Sequence, residues 1–428
     1  MSKSILCRAC GSVVVIFFVL GAPFALANEP LSLNALVAEV LENNPELKFY
    51  KAEIDAAKGI RQSAGSWANP EASGSLGQKK IWNEGEELTG KGKTGEIAIT
   101  QTFEWPGRMG LRRAIADRDI DLAELGFEQF RASLEARARI AAYELIAARE
   151  VTGVTREVAD HFRALEEVLV QREPAGLTPL LEMRVIEAMD LNMRRRASEA
   201  SLAAQAALFD LNQLRGAPLD SELRFEPMSF GFAPLGDKKE LLELARSNDF
   251  LVRTRTVELE RQDLEVGLAE SERLPAITAG PSFAEERAGE RERILAVEVS
   301  MPLPIWNQNR GNIRSAKARR SQAETSLQIA KQDADRRLME TVAIYETRIQ
   351  EMVNWRPDSI QHFKEAAELA DRHYRLGAVP VSIYVELQTQ YLDALAGLHA
   401  TKKEALEAAA ELELLTGKKL NLIREGRK

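Results

Sequence analysis

The stretch that decides the fold is Met301–Arg320, MPLPIWNQNRGNIRSAKARR. It follows an alternating segment, ILAVEVS (Ile294–Ser300), and opens a long run with helical periodicity. Proline has no amide N–H to give to a sheet ladder, so Pro302 and Pro304 end a strand. Asn307, Gln308 and Asn309 are residue types that cap a helix, and NIRSAKARR begins one. The same junction is written earlier as TFEWPGRMGLRR, where Pro106 alone stands in place of the paired prolines.

That recurrence extends along the chain. Trp105–Gly110 and Trp306–Gly311 both read W-x4-G, 201 residues apart. Gly176-x-x-Pro179 with Gly377-x-x-Pro380, and Leu214-x-Gly216 with Leu415-x-Gly417, keep the same spacing. Upstream, VLENNPEL (Val40–Leu47) aligns with LARSNDFL (Leu244–Leu251) at 204. Self-similarity of this kind marks a duplicated unit, here residues 28–220 and 221–428. Each half reads as a helix (33–66 and 238–273), then two alternating segments, then very long helices.

Strands are expected near 71–80, 94–103, 276–286 and 291–300, with Ile97, Ile99 and Phe103 on one face and Leu295, Val297 and Val299 on another. Turn-rich loops are expected at Lys79–Lys93 and Ala288–Arg291. These lengths suit outer-membrane strands of ~9–11 residues. Pro106 to Gln171 would run roughly 100 Å as a helix, and Asn307 to Asn354 roughly 70 Å. Tyr384, Leu387, Tyr391, Ala394 and Leu398 step by three and four, the seam of a coiled coil.

The first 27 residues read as a secretory signal: Lys3 and Arg8, an apolar core over Val13–Leu20, and Ala25-Leu26-Ala27 before the cut. Both cysteines, Cys7 and Cys10, fall inside it, and Cys10 precedes the apolar core, so no lipid anchor and no disulfide are expected. The formal charge of −8 becomes more negative once Lys3 and Arg8 are removed, which argues against nucleic acid as a partner. His161, His362, His373 and His399 have no ligand spacing, and Met183, Met189 and Met193 read as core gap-fillers. No metal site, cofactor site, phosphate loop or nucleophile elbow is legible.

A lipid-embedded sheet must pair every backbone group. Membrane barrels start at about eight strands, so four strands close only if several copies combine. The helices that continue from the strands would then form a tube beneath the barrel. Trp105 and Trp306 sit where strand meets helix, as interfacial tryptophans do.

Three segments carry a family resemblance: PLSLNALVAEVLENNPELKFYKAEIDAAKG, QTFEWPGRMGLRRAIADRDIDLAEL and VSMPLPIWNQNRGNIRSAKA. On these the chain resembles the TolC-like outer membrane factor (outer membrane efflux protein) family over nearly its whole mature length. Within that family it is most similar to CzcC-type components of heavy-metal cation efflux. The resemblance implies a mixed membrane β-barrel plus long α-helical barrel, a TolC-like homotrimer with four strands per protomer in outer membrane lipid. The helical part would project into the periplasm and dock onto a periplasmic adaptor (membrane fusion) protein and an inner-membrane resistance-nodulation-division pump.

The chain would be an exit duct, not an enzyme, for divalent cations of the cobalt, zinc and cadmium type. The alternatives are a duct for multidrug efflux or type I secretion, and, from another class, a soluble periplasmic coiled-coil scaffold.

The resemblance also implies site residues. The adaptor-facing tips fall at Gly176, Leu177, Thr178 and Pro179, and at Gly377, Ala378, Val379 and Pro380. A periplasmic gate falls at Glu182, Tyr374 and Glu386, with glutamate replacing aspartate at both acid positions. A second ring acid would fall at Ile383 and the gate arginine at Val379; Arg375 is the candidate substitute. The barrel-to-helix junction comprises Trp105, Pro106, Pro302, Pro304 and Trp306.

Overall fold

The computed structural model describes residues 30–172, 180–355 and 359–427. The expected signal over 1–27 and the first tip, Gly176 to Pro179, lie outside the described residues.

The helix expected over 33–66 is two helices, α1 (Leu33–Asn43) and α2 (Pro45–Ala64). Asn44 breaks them by turning extended, and its Oδ1 accepts from the Glu46 N–H at 2.9 Å. Pro45 at the first helical position has no N–H to leave unpaired. Its counterpart in the second half is the break between α5 (Lys238–Asn248) and α6 (Phe250–Ser271), where Asp249 Oδ1 accepts from the Val252 N–H at 3.0 Å. The caps therefore align Asn44 with Asp249, a spacing of 205 and not 204. The sequence strings matched asparagine letters; the fold matches cap positions.

Between these come β1 (Glu71–Trp82), β2 (Leu88–Phe103), α3 (Arg108–Arg172), α4 (Leu180–Arg215) and β3 (Met228–Phe232). After α6 follow β4 (Ile277–Arg287), β5 (Arg291–Ser300), α7 (Arg310–Asn354), α8 (Ser359–Arg375), α9 (Val381–Thr416) and β6 (Ile423–Arg427). Most of the loop expected at Lys79–Lys93 is strand. β1 and β2 continue to a reversal at Asn83, whose Oδ1 accepts from the Gly85 and Glu87 amides at 3.1 and 2.9 Å. Lysines and glycines there hide the alternation. β3 and β6, which the sequence pattern did not reveal, pair with each other antiparallel.

The membrane-type strands form one antiparallel sheet in the order β1-β2-β4-β5. Two apolar cores repeat below it. In the first, Leu36 and Val40 of α1 pack with Leu134 and Ala138 of α3 and Leu211 and Leu214 of α4. In the second, Leu241 and Ala245 of α5 pack with Leu338 and Val342 of α7 and Leu412 and Leu415 of α9.

Each core is closed by a left-handed glycine after its last helix. Gly216 (φ 67°) lies against the Asn43 carbonyl, and Gly417 (φ 62°) against Asn248. The Asn44 amide donates to Leu214 O at 2.9 Å, and the Asn248 amide donates to Thr416 O at 3.1 Å.

A Cβ at Gly417 would lie 2.9 Å from Asn248 Cβ, whereas one at Gly377 (φ 73°) would meet nothing within 4 Å. Gly377→Ala should therefore cost only the left-handed penalty, about 1–2 kcal/mol. Gly417→Ala should cost measurably more. Thermal unfolding of both variants followed by circular dichroism checks the order.

Candidate functional site

The sheet has two unlike faces. The register sets Ile97, Phe283 and Leu295 in one row, with Ile99, Pro281 and Val297 in the next. The two apolar sets expected on separate faces thus share one, and it is open to the surroundings, with Leu295 81% exposed. The opposite face carries small residues, where Ser73, Ala98, Ser282 and Ala296 form a row. Ala98 and Ser282 are only 4% and 7% exposed. This is an apolar-out, small-and-polar-in wall, with β1 and β5 as open edges within the protomer.

At the first strand-to-helix junction, Trp105 Nε1 donates to Pro275 O at 2.6 Å. Pro106 follows it, and Gly107 turns left-handed at φ 90° before α3 starts. Arg108, 6% exposed, donates through Nη2 to Ser271 O at 2.8 Å and Leu274 O at 2.7 Å. It thereby binds carbonyls at and just beyond the end of α6, the first of which also accepts from the Leu274 amide at 3.1 Å. Sequence reasoning passed over Arg108; the signal available was only an arginine just after the left-handed glycine.

At the second junction, β5 ends at Ser300 and Pro302 and Pro304 follow in irregular backbone. Trp306 is 93% exposed. The expected side-chain cap of the next helix is absent. Asn309 occupies the N-cap position at φ 59°, but its Nδ2 donates to Ala269 O at 2.8 Å, again on α6. The amide is used to tie two helices together instead of closing its own.

At the far end of the helices, α8 closes on Gly377 (φ 73°) with Ala378 N donating to His373 O at 2.9 Å. This reversal satisfies the last carbonyls of α8, and Pro380 stands at the N-cap of α9. Val379 is half-buried, and Ala378 is exposed. Tyr374 stacks on Tyr384 at 5.3 Å between ring centroids, and Tyr384 in turn lies 5.0 Å from Phe162 of α3.

Burial first, then the charge of Glu182, pushes the Tyr374 phenol up. Burial, then Asp371, pushes Tyr384 up further. Arg375 Nε donates to Asp371 Oδ2 at 2.9 Å within α8. Tyr384 Oη and Asp371 Oδ1 are buried near each other, yet neither completes a hydrogen bond. Glu182, Tyr374 and Arg375 are thus brought to one cluster, whereas Glu386 stands apart on the open face of α9, accepting from Gln390 at 2.8 Å. Asp371 was missed, although its spacing of four from Arg375 signals a helical ion pair. Tyr384 was read only as a seam residue.

Residues 241–418 match the family model described as outer membrane efflux protein. The second half of the chain is therefore similar to the outer membrane efflux protein family. The chain is 25% identical over 290 residues to the cobalt-zinc-cadmium resistance protein CzcC of Cupriavidus metallidurans, an alignment covering 67% of this chain and 66% of that protein, just under two thirds of it.

In fold, the chain is similar to a membrane protein from Pseudomonas aeruginosa, with TM-score 0.71, 20% identity and 90% of each chain covered. It is also similar to the CmeC outer membrane channel of Campylobacter jejuni, with TM-score 0.70, 17% identity and 91% and 87% covered.

No group of three or more His, Cys, Asp or Glu among the described residues is placed to hold a metal ion. Met183 and Met193 are buried, Met193 beside Phe162 and Ile186 with Met189 packed against them. His399 lies between the Tyr143 hydroxyl, 3.0 Å from Nδ1, and Glu150, 3.4 Å from Nε2.

Because the Tyr384 hydroxyl makes no hydrogen bond, Tyr384→Phe should cost less than about 1 kcal/mol. Tyr384→Ala, which empties a buried aromatic site, should cost about 3–5 kcal/mol. Denaturant unfolding separates the two. The raised phenols keep Tyr374 and Tyr384 neutral past the ordinary 10.0. Their stabilisation is full below that value and lost as pH rises through the folded-state values. Tyrosinate absorbance against pH should show two fewer late-titrating groups in Tyr374→Phe/Tyr384→Phe.

Proposed function

We propose that three copies of this chain join their sheets edge to edge into one outer membrane barrel, and that the protein is the exit duct of a tripartite efflux system. The observation that carries this reading is the four-stranded sheet with an apolar outer face and two open edges, running directly into long helices. Backbone groups along β1 and β5 facing lipid cost several kcal/mol each unless paired. Pairing β5 of one copy with β1 of the next satisfies them and gives twelve strands around a lumen lined by Ala98, Ser282 and Ala296.

The helices hang into the periplasm. α3, of 65 residues, reaches about 98 Å at 1.5 Å per residue. The tips at Gly176–Pro179 and Gly377–Pro380 meet a periplasmic adaptor, and a resistance-nodulation-division pump in the inner membrane supplies the transport work. Exposed Leu180, Leu181 and Leu376 beside the tips favour an apolar helix-tip contact. Glu182, Tyr374 and Arg375, with Asp371, hold the tip region closed within each protomer. Glu386 faces outward where threefold symmetry makes it a ring attractive to cations. The similarity to the cobalt-zinc-cadmium resistance protein supports divalent heavy-metal cations as the exported species. Export of the chain itself rests on residues 1–27.

The reading predicts a detergent-resistant trimer that conducts in planar bilayers, with Glu386→Gln lowering the cation-to-anion permeability ratio several-fold. A water-soluble chain without conductance overturns the duct. Deleting the gene from a host stripped of overlapping pumps should raise sensitivity to cobalt, zinc or cadmium. Unchanged metal tolerance together with new drug sensitivity reassigns the cargo.

A further inference from the structure

The apolar face of the sheet does not stay apolar to its end. The row Ile97, Phe283, Leu295 is followed on the same face by Leu76, Gly95, Glu285 and Arg293. Next come Gln78, Lys93, Arg287 and Arg291, and then Lys80 with Lys91. Successive rows are about 6.8 Å apart, two residues of extended chain. Within about 7–20 Å of the last apolar row, six cations therefore stand on the outward face against one carboxylate.

That carboxylate is already taken. Glu285 accepts from Arg291 at 2.9 Å through both oxygens and from Arg287 Nε at 2.6 Å, with Arg293 at 3.4 Å. Lys80, Lys91 and Lys93 are exposed and make no ion pair among the described residues. The inward face at the same height is different: Lys79 is bonded to Glu286, and Glu292 lies opposite Glu286. The positive charge is thus confined to the side that carries the apolar band.

These rows lie at the hairpin end of the sheet, opposite the ends from which α3 and α7 depart. In the duct reading, on which this inference rests, that end is the outer leaflet. The geometry points to a binding surface for the phosphorylated headgroup of the glycolipid that fills that leaflet. Its acyl chains lie along Ile97, Phe283 and Leu295, and its phosphates are met by Lys91, Lys93, Arg287 and Arg291. Charge complementarity and continuity with the apolar band fix both ends of one amphiphile: guanidinium and ammonium groups suit phosphate oxygens, and arginine does so bidentately.

Full-length protein in detergent is titrated with bis-phosphorylated lipid A, dephosphorylated lipid A and phosphatidylglycerol, and bound lipid is counted by native mass spectrometry. Bis-phosphorylated lipid A should bind at least tenfold more tightly than either other lipid. K91Q/K93Q/R287Q should erase that preference while keeping its heat-stable oligomer, and E285Q, which frees three arginines, should strengthen it. Equal binding of phosphorylated and dephosphorylated lipid, equal binding of phosphatidylglycerol, or an unaffected triple variant overturns the inference. A chain that conducts yet binds lipid without regard to phosphate refutes this surface alone; a chain that never enters a bilayer refutes the duct.

Discussion

Everything in this molecule turns on a hydrogen-bonding debt: four strands with an apolar outer face and two unpaired edges. In water such edges are solvated, but against hydrocarbon each free N–H and C=O must find a protein partner. Four strands cannot curl far enough to meet themselves, and in the proposed duct the debt passes to neighbouring copies. The rest follows from that transfer. A shared barrel forces the helices leaving it to run side by side, and only helices much longer than those of a compact domain can do so and still bury their stripes.

The two halves are not independent copies laid end to end. α6 receives both strand-to-helix junctions: Arg108 and Trp105 of the first bind at and just beyond its end, and Asn309 of the second binds Ala269 within it. The junction of one repeat is thereby bolted to the approach of the other. The two halves carry matching elements, and residues that do not match between them hold them together. Gly107 and Asn309 reach a left-handed backbone at comparable places by different residues, and at the first an arginine binds carbonyls at the end of α6.

Much of this was legible because it is periodic. Alternation located all four membrane strands to within a few residues except at the start of β2, where Gly90, Gly92 and Lys91 carry no pattern. The helical runs and the turn at Gly377 were equally plain. What stayed hidden depends on single atoms. Asn44 and Asp249 look like ordinary polar helix residues until their carboxamide and carboxylate oxygens are seen on the next turn's amides. Asn309 has the composition of a cap and a different job. At the tips, Glu182 and Tyr374 were reachable by counting from a glycine. The approach of half-buried Asp371 to buried Tyr384 was not, since it depends on three helices at once. Glu386 was reachable by the same count, but the chain alone leaves it facing away from the cluster.

The length of α3 makes it a lever. Over about 98 Å, a tilt of one degree at its root moves its far end by about 1.7 Å, more than half a hydrogen bond. A looser root would blur any contact made at the tip. The buried guanidinium of Arg108, held by two carbonyls at the fulcrum, is therefore a stiffness element. Angular precision at the membrane end of the rod sets how finely its other end can be positioned.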